Sequence, residues 1–368
     1  MAVDTMTMTA VEMLAGLVAI PSVSGEEAAA VDYLCLSMRE LGYQTSIDAA
    51  GNAVGTIGTG EREILLLGHI DTVPGDIPVR IEDGILHGRG AVDAKGPLAA
   101  FVAAGARAQL PERVRLTVIG AVGEETFGSP GASWLCEHYP TPAAVVIGEP
   151  SGWDGIVLGY KGSISLTATV TTGLTHSAGP EATAPELAIA FWTRLNAWLA
   201  QQNNDAPAGF QTTDATLRNI NTSGDGLQVL TTLEITFRLP PGVTSTWLMA
   251  EVSDLAGDTR LTWQPNAEAY RVDKRSPLVA PFLAAIRATG GQPRLKVKTG
   301  TSDMNLVGPA WNCPIVSYGP GDARFDHTPE EQIPLADFER GVEVLVGAIS
   351  RIASGMGDEA RGMRSARA

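Results

Sequence analysis

The chain has 368 residues, a formal net charge of −15 and 44% hydrophobic residues. That length exceeds the usual span of one hydrophobic core, so a globular protein with two domains is expected. The acidic balance excludes general binding to nucleic acid or to anionic membranes, and no segment reaches the ~18 apolar residues that a membrane span needs.

The first apolar piece, VEMLAGLVAI, lacks a basic leader and ends at Pro21, which predicts a first helix rather than a signal peptide, and a cytoplasmic protein. GEEAAAVDYLCLSMRELG reads as a second helix ended by Gly42. ILLLGHI, VRLTVIGAVGE, AAVVIGEP and CPIVSYG are short, apolar and β-rich, too continuous to be half-exposed. Strands buried on both faces predict an α/β catalytic part with a mostly parallel sheet flanked by helices. The stretch PLAAFVAAGARAQL between the first two of these strands is helical in pattern.

From Gly162 the texture changes. SISLTATVTTG alternates as a strand, and PELAIAFWTRLNAWLAQQ is a helix with Leu187, Phe191, Leu195 and Trp198 at helical spacing. ATLRNIN and LQVLTTLEITFRL follow as strands, TSTWLMAEVSDLAG as a helix and RLTWQPNAEAY as a last strand. The order β-α-β-β-α-β predicts a ferredoxin-like α+β insertion over 162–270, with the catalytic domain formed by 1–161 and 271–355 and a disordered tail at 356–368. The aromatic stripe on the inserted helix is either core or a partner surface. Cys35, Cys136 and Cys313 are widely spaced, odd in number and set in apolar surroundings, which predicts free thiols in a reducing compartment.

Chemistry concentrates where strands end. His69 and Asp71 sit two apart in LLLGHIDTVPG, Asp93 lies in GRGAVDAKG, Glu124 and Glu125 in GAVGEETFG, Glu149 in VVIGEPS and His327 in FDHTPEE. Alone, each has a plain reading as a capping, surface or turn residue. Together they supply imidazole and carboxylate, the ligands of a divalent metal, at the carboxyl ends of strands where open α/β sheets bind ligands. Asp93 precedes a helix, near its positive end. Two metals roughly 3.5–4 Å apart can share a water and polarise a carbonyl, which predicts hydrolysis.

The order HIDTVPG, GRGAVDAKG, GEET, GEP and HTPEE resembles the M20 family of co-catalytic metallopeptidases and deacylases over almost the whole chain. The resemblance implies two ions, Zn2+ or Co2+, with His69 and Glu149 on one, Glu125 and His327 on the other and Asp93 bridging. It implies that Asp71 fixes the His69 imidazole and that Glu124 is the general base. It matches His176 to a histidine that stabilises the oxyanion in a partner subunit's site, and Arg238 to an arginine that holds the substrate carboxylate. The inserted domain is then a lid or dimerisation domain, making a homodimer. GRGAVDAKGP, GEPSGWDGIVLGYKG, KTGTSDMN and YGPGDARFDHTPEE look closest to hydrolases that free lysine or ornithine from an amino-group carrier protein in lysine and arginine biosynthesis.

Substrate choice has local clues. Arg271, Lys274, Arg275, Arg287, Arg294, Lys296 and Lys298 stand against one acidic residue, Asp273, in an otherwise acidic chain. They form either a solvated face or a patch that steers an acidic carrier. In KTGTSDMN, Thr301, Ser302 and Asp303 offer two hydroxyls and a carboxylate; Asp303 either pairs with a substrate ammonium or caps the following turn. The expected activity is release of lysine, and also ornithine, from the carrier. The alternatives are N-acetylornithine or N-acetyl-lysine deacetylation, succinyl-diaminopimelate desuccinylation, a broad dipeptidase, and a non-catalytic metal-dependent binding protein, whose sign would be a missing base.

Overall fold

The computed structural model describes residues 8–176 and 178–365, and the side chains of all of these except 265, 266 and 357–365. The chain divides into two compact units, residues 1–159, 272–296 and 302–368 in one, 160–271 and 297–301 in the other. The second unit thus takes in the short piece 297–301, which the sequence assigned to the catalytic part. Lys161 N–H donates to the Lys298 carbonyl at 3.2 Å, tying this piece to the unit's first residues.

The first unit is built on a mixed sheet with strand order Gln44–Ile47, Ala53–Ile57, Val114–Ala121, Arg62–His69, Ala144–Gly148, Ile315–Ser317, Gly155–Tyr160. The pairs among the middle four strands are parallel, and the outer pairs are antiparallel. Ile64, Leu65, Leu66 and Leu67 are all fully buried, so both faces of that strand are covered, as the unbroken apolar run demands. Helix Lys95–Gly105 is buried at every residue, which its lack of a polar face allows.

That helix approaches the sheet over a row of glycines. Gly68 is in register with Gly120 on one side and Gly148 on the other. A Cβ built at Gly68 would lie 3.4 Å from Leu98 Cβ, at Gly120 3.2 Å from Leu98 Cδ2, and at Gly148 2.8 Å from Phe101 Cε2. The absent side chains let the helix sit close. His69 and Glu149 follow two of these glycines directly.

A small sheet of Arg80–Glu82, Ile85–His87 and Gln332–Pro334 was not anticipated. Its hairpin turns at Asp83 and Gly84, with φ of 50° and 75°, the left-handed pair that a two-residue hairpin favours. The last helix, Leu335–Ser365, runs through most of the segment expected to be a disordered tail. The Ala, Met, Glu and Arg there are helix formers and no proline interrupts them. Residues 366–368 lie outside the described residues.

The second unit is a four-stranded antiparallel sheet in the order Asp214–Gly224, Gln228–Leu239, Gly162–Gly173, Arg260–Ala267, with helices Ala184–Gln202 and Ser245–Leu255. This is the β-α-β-β-α-β order read from the sequence. Its core includes Ile164, Leu166, Phe191, Leu195, Phe237 and Leu248. Trp192 and Trp198 pack only partly against that core, and Trp198 lies 5.8 Å from Trp247, ring centre to ring centre. Among the described residues no helix is long and apolar enough to cross a membrane.

Candidate metal centre

His69 is the last residue of strand Arg62–His69, and Glu149 comes immediately after strand Ala144–Gly148. Parallel pairing sends both strand ends to one rim. Asp93 stands before helix Lys95–Gly105, its peptide bond to Ala94 in the cis form. Glu124 and Glu125 lie just past strand Val114–Ala121, in a turn where Thr126 N–H returns to the Gly123 carbonyl at 3.2 Å. Gly123 has φ of 73°, open to glycine at little cost, so the chain leaves the strand's alternation and need not send the two glutamates to opposite faces. His327 itself holds a φ of 60°, uncommon for a residue with a side chain.

These side chains meet. His69 Nε2 is 3.3 Å from Asp93 Oδ1 and 3.9 Å from Glu149 Oε1. His327 Nε2 is 2.9 Å from Asp93 Oδ2 and 2.8 Å from Glu125 Oε1. Asp93 therefore faces one imidazole with each oxygen. One donor atom each from His69, Asp93 and Glu125 fall within 4.8 Å of one another. Two imidazoles and three carboxylates directed at one small volume fit divalent metal ions of the zinc, cobalt or manganese type.

The electrostatics agree with a cation site. Burial opposes charge on His69, which is 2% exposed, but hydrogen bonds to Asp71 and Asp93 and the charge of Glu124 hold its pKa well above the usual imidazole value. Hydrogen bonds to Asp93 and Glu125 push His327 up to about 10. Burial pushes the Asp93 carboxyl up, yet the bonds from His327 and His69 hold it well below the carboxylate range. Both imidazoles are thus held toward their charged form by the carboxylates around them. Glu124 goes the other way. Burial raises its pKa well above the usual value, His69 pulls it down, and Glu149, Asp303 and Glu125 raise it further. A raised carboxyl pKa moves the group toward the range that suits a general acid-base.

Asp71, fully buried, serves more partners than the sequence suggested. His69 Nδ1 lies 3.0 Å from the Asp71 backbone carbonyl and 3.4 Å from its carboxylate, so the carbonyl is the nearer orienting group. The carboxylate also accepts the backbone N–H groups of Glu124 and Glu125 and the Ser24 hydroxyl.

The other expected residues divide between the units. Ser302 and Asp303 belong to the first, with the donors; His176, Arg238 and Thr301 belong to the second. Asp303 is only 3% exposed and accepts the Ser129 hydroxyl at 2.5 Å. Its side chain does not cap the following helix, Met304–Trp311, as one reading of the sequence had it; the Ser302 hydroxyl accepts Met304 N–H instead, at 3.2 Å. Arg238 donates through Nη1 to the Thr301 hydroxyl. His176 lies on an exposed loop, its Nδ1 accepting Ala178 N–H at 3.1 Å. Sequence reasoning missed Ser24, Ser129, Arg89 and Glu331; the signal for the last was its place in HTPEE, four residues after His327.

The model of peptidase family M20/M25/M40 matches residues 65–351. This chain belongs to that family. It is 42% identical over 356 residues to a LysW-lysine hydrolase of Deinococcus radiodurans, covering 94% of this chain and 97% of the relative. A LysW-lysine/LysW-ornithine hydrolase of Saccharolobus islandicus is 30% identical over 294 residues, 80% of this chain and 82% of that one. The fold is that of a tripeptidase from Staphylococcus aureus, with a TM-score of 0.78 at 19% identity over 94% of this chain and 98% of the other. The chain is accordingly an M20 hydrolase, and metal dependence is a property of that family.

Proposed function

We propose that this protein is a binuclear metal-dependent amidohydrolase that frees lysine, and also ornithine, from the carrier protein LysW. The observation that carries the reading is the 42% identity over 94% of the chain to a LysW-lysine hydrolase, joined to the approach of His69, Asp93, Glu125, Glu149 and His327 to one another. His69 and Glu149 would hold one ion, Glu125 and His327 the other, with Asp93 between them, and the ions would be Zn2+ or Co2+. When bound, such ions acidify a water and polarise the amide carbonyl.

The remaining steps belong to the protein. Glu124 takes the proton of the attacking water and delivers it to the departing amine. Asp71 keeps His69 and the Glu124–Glu125 turn in place. Arg238, with the planar fork suited to a carboxylate, and Thr301 bind the carrier's terminal glutamyl group. His176 stabilises the tetrahedral oxyanion, supplied by a second copy in a homodimer formed through the inserted domain. Asp303 and Ser302 line the lysine end. Lys274, Arg275 and Arg287 are exposed on the first unit, whereas Arg294 is paired with Asp154; the three open charges suit an acidic carrier. In this reading the protein works in lysine biosynthesis, and in arginine biosynthesis where ornithine is released.

The test is release of free lysine or ornithine by metal-loaded protein from the carrier conjugate, Nα-acetyl-lysine and γ-glutamyl-lysine at equal concentration. Preference for the conjugate, reduced when Lys274, Arg275 and Arg287 are changed to Glu, is the expected result. Equal or better use of the acetyl compound would make the protein a small-molecule deacetylase.

A further inference from the structure

Glu331 belongs to none of the roles above, yet it is 1% exposed and fully engaged. Its Oε1 accepts two successive backbone N–H groups, from Val92 at 2.9 Å and from Asp93 at 3.0 Å. Its Oε2 accepts Arg89 Nη1 at 2.7 Å, and Arg89 Nε donates in turn to the Gly75 carbonyl at 3.1 Å. A carboxylate taken this far from water costs several kcal/mol unless its oxygens are satisfied, and removal of one partner of such a pair is heavily penalised. The question is what the arrangement achieves beyond satisfying itself.

Two amides held on one oxygen fix the peptide planes on either side of Val92, and with them the direction in which Asp93 leaves the backbone. The chain that brings Glu331 to this loop also brings His327, four residues earlier, to the Asp93 carboxylate. The same two segments are joined again where Gly88 N–H donates to the Glu331 carbonyl at 3.2 Å and where Gln332 pairs with His87. Segment 327–332 therefore grips the Asp93 loop at both ends, the side chain through His327 and the backbone through Glu331.

We propose that Glu331, braced by Arg89, is a positioning residue that sets the Asp93 carboxylate between His69 and His327 and so governs metal affinity. The proposal rests on the reading of this cluster as the metal centre. The side-chain hydrogen bonds of Glu331 run to Arg89 and to the Val92 and Asp93 backbone, so it would act through the Asp93 backbone. Groups that orient metal ligands change affinity about 10- to 100-fold when lost.

The experiment uses the full-length protein, stripped of metal and titrated with Co2+ by calorimetry and visible absorption. Glu331→Ala is expected to bind about 10- to 100-fold more weakly than wild type, with an altered cobalt spectrum. Glu331→Gln should fall between, because its amide oxygen still accepts both N–H groups while its NH2 is turned toward Arg89. It also carries the test if the alanine variant fails to fold. Glu63→Gln is the control. Glu63 is an equally buried carboxylate at the far end of the His69 strand, bonded by Arg115, Thr117 and Tyr139. It should lower thermal stability and leave cobalt affinity and spectrum unchanged. Wild-type affinity and spectrum in Glu331→Gln and Glu331→Ala would overturn the proposal, as would an equal loss in Glu63→Gln. A wild-type protein that binds no Co2+ would instead remove the reading of the metal centre itself.

Discussion

Asp71 holds Glu124 by its backbone: the Asp71 Oδ1 accepts Glu124 N–H at 3.0 Å. The neighbouring Oδ2 accepts Glu125 N–H at 2.9 Å and the Ser24 hydroxyl at 2.7 Å. One carboxylate thus fixes the turn that carries both a proposed ligand and the proposed base, besides facing His69.

Asp71→Asn is the direct probe. The amide keeps one accepting oxygen and turns an NH2 toward a backbone N–H, so the turn must shift. Turnover should fall at least 10- to 100-fold, and metal content measured by atomic emission should fall with it. An Asn variant with full turnover would reduce Asp71 to a loop contact.

Glu124→Ala has a different signature. The base is not a ligand in this arrangement, so both metals should remain while turnover drops by about 10²- to 10⁴-fold, the usual worth of a general base. Loss of metal together with activity would move Glu124 into the ligand set.

Protonation gives a prediction for the metal-free protein. His327 is raised from 6.5 to about 10, so the folded state binds that proton more tightly than the unfolded chain does. The resulting stability is complete below about pH 6.5 and is lost as pH climbs toward 10. Lys95 acts in the opposite sense, because burial lowers its pKa to about 8 and favours the folded state above that pH. Between pH 6.5 and 8 the loss of stability therefore comes from the imidazoles, with Glu124, whose pKa is also raised, acting in the same sense. In thermal melts at fixed ionic strength, Tm of the metal-free protein should fall across this window, and Tm of the metal-loaded protein should not, since cations then replace the protons. Parallel profiles for the two forms would contradict the exchange.

Gly148→Ala tests the glycine row. The added Cβ would stand 2.8 Å from Phe101 Cε2 and 3.1 Å from Gly68 Cα, so ring and strand must move. Overpacking of this kind costs about 1–3 kcal/mol, measurable by urea denaturation. Metal affinity should weaken as well, because Glu149 is the next residue. A neutral substitution would mean that the helix can back away freely.

Much of this was legible because the chemistry falls at breaks in strong local patterns. The run ILLLGH announces a buried strand and puts His69 at its end, and the same logic finds Glu149 after AAVVIG. The second unit was readable as far as its alternating strands and its helix with Phe191 and Leu195 inward. Most of what escaped depends on tertiary partners that leave little local trace. Glu331 looks like a solvated turn residue until Val92, Asp93 and Arg89 close around it, and Ser129 looks like an ordinary helix start until it meets Asp303. Asp83-Gly84 was a readable hairpin signal that passed unnoticed. The assignment of 297–301 to the second unit had no such signal, because it follows from pairing with Lys161 rather than from the character of the residues themselves.

Strand Ile315–Ser317 lies inside the main sheet, beside strands made much earlier in the chain, and His327 comes only after it. On the ribosome, His69, Asp93, Glu125 and Glu149 are all synthesised while that slot is still open and the opposite imidazole does not yet exist. On the proposed ligand set, occupation of the complete centre would therefore wait until the chain has been made beyond His327. A product cut short before His327 would lack one of the proposed donors. Full metal content would then distinguish chains that carry His327 from shorter fragments.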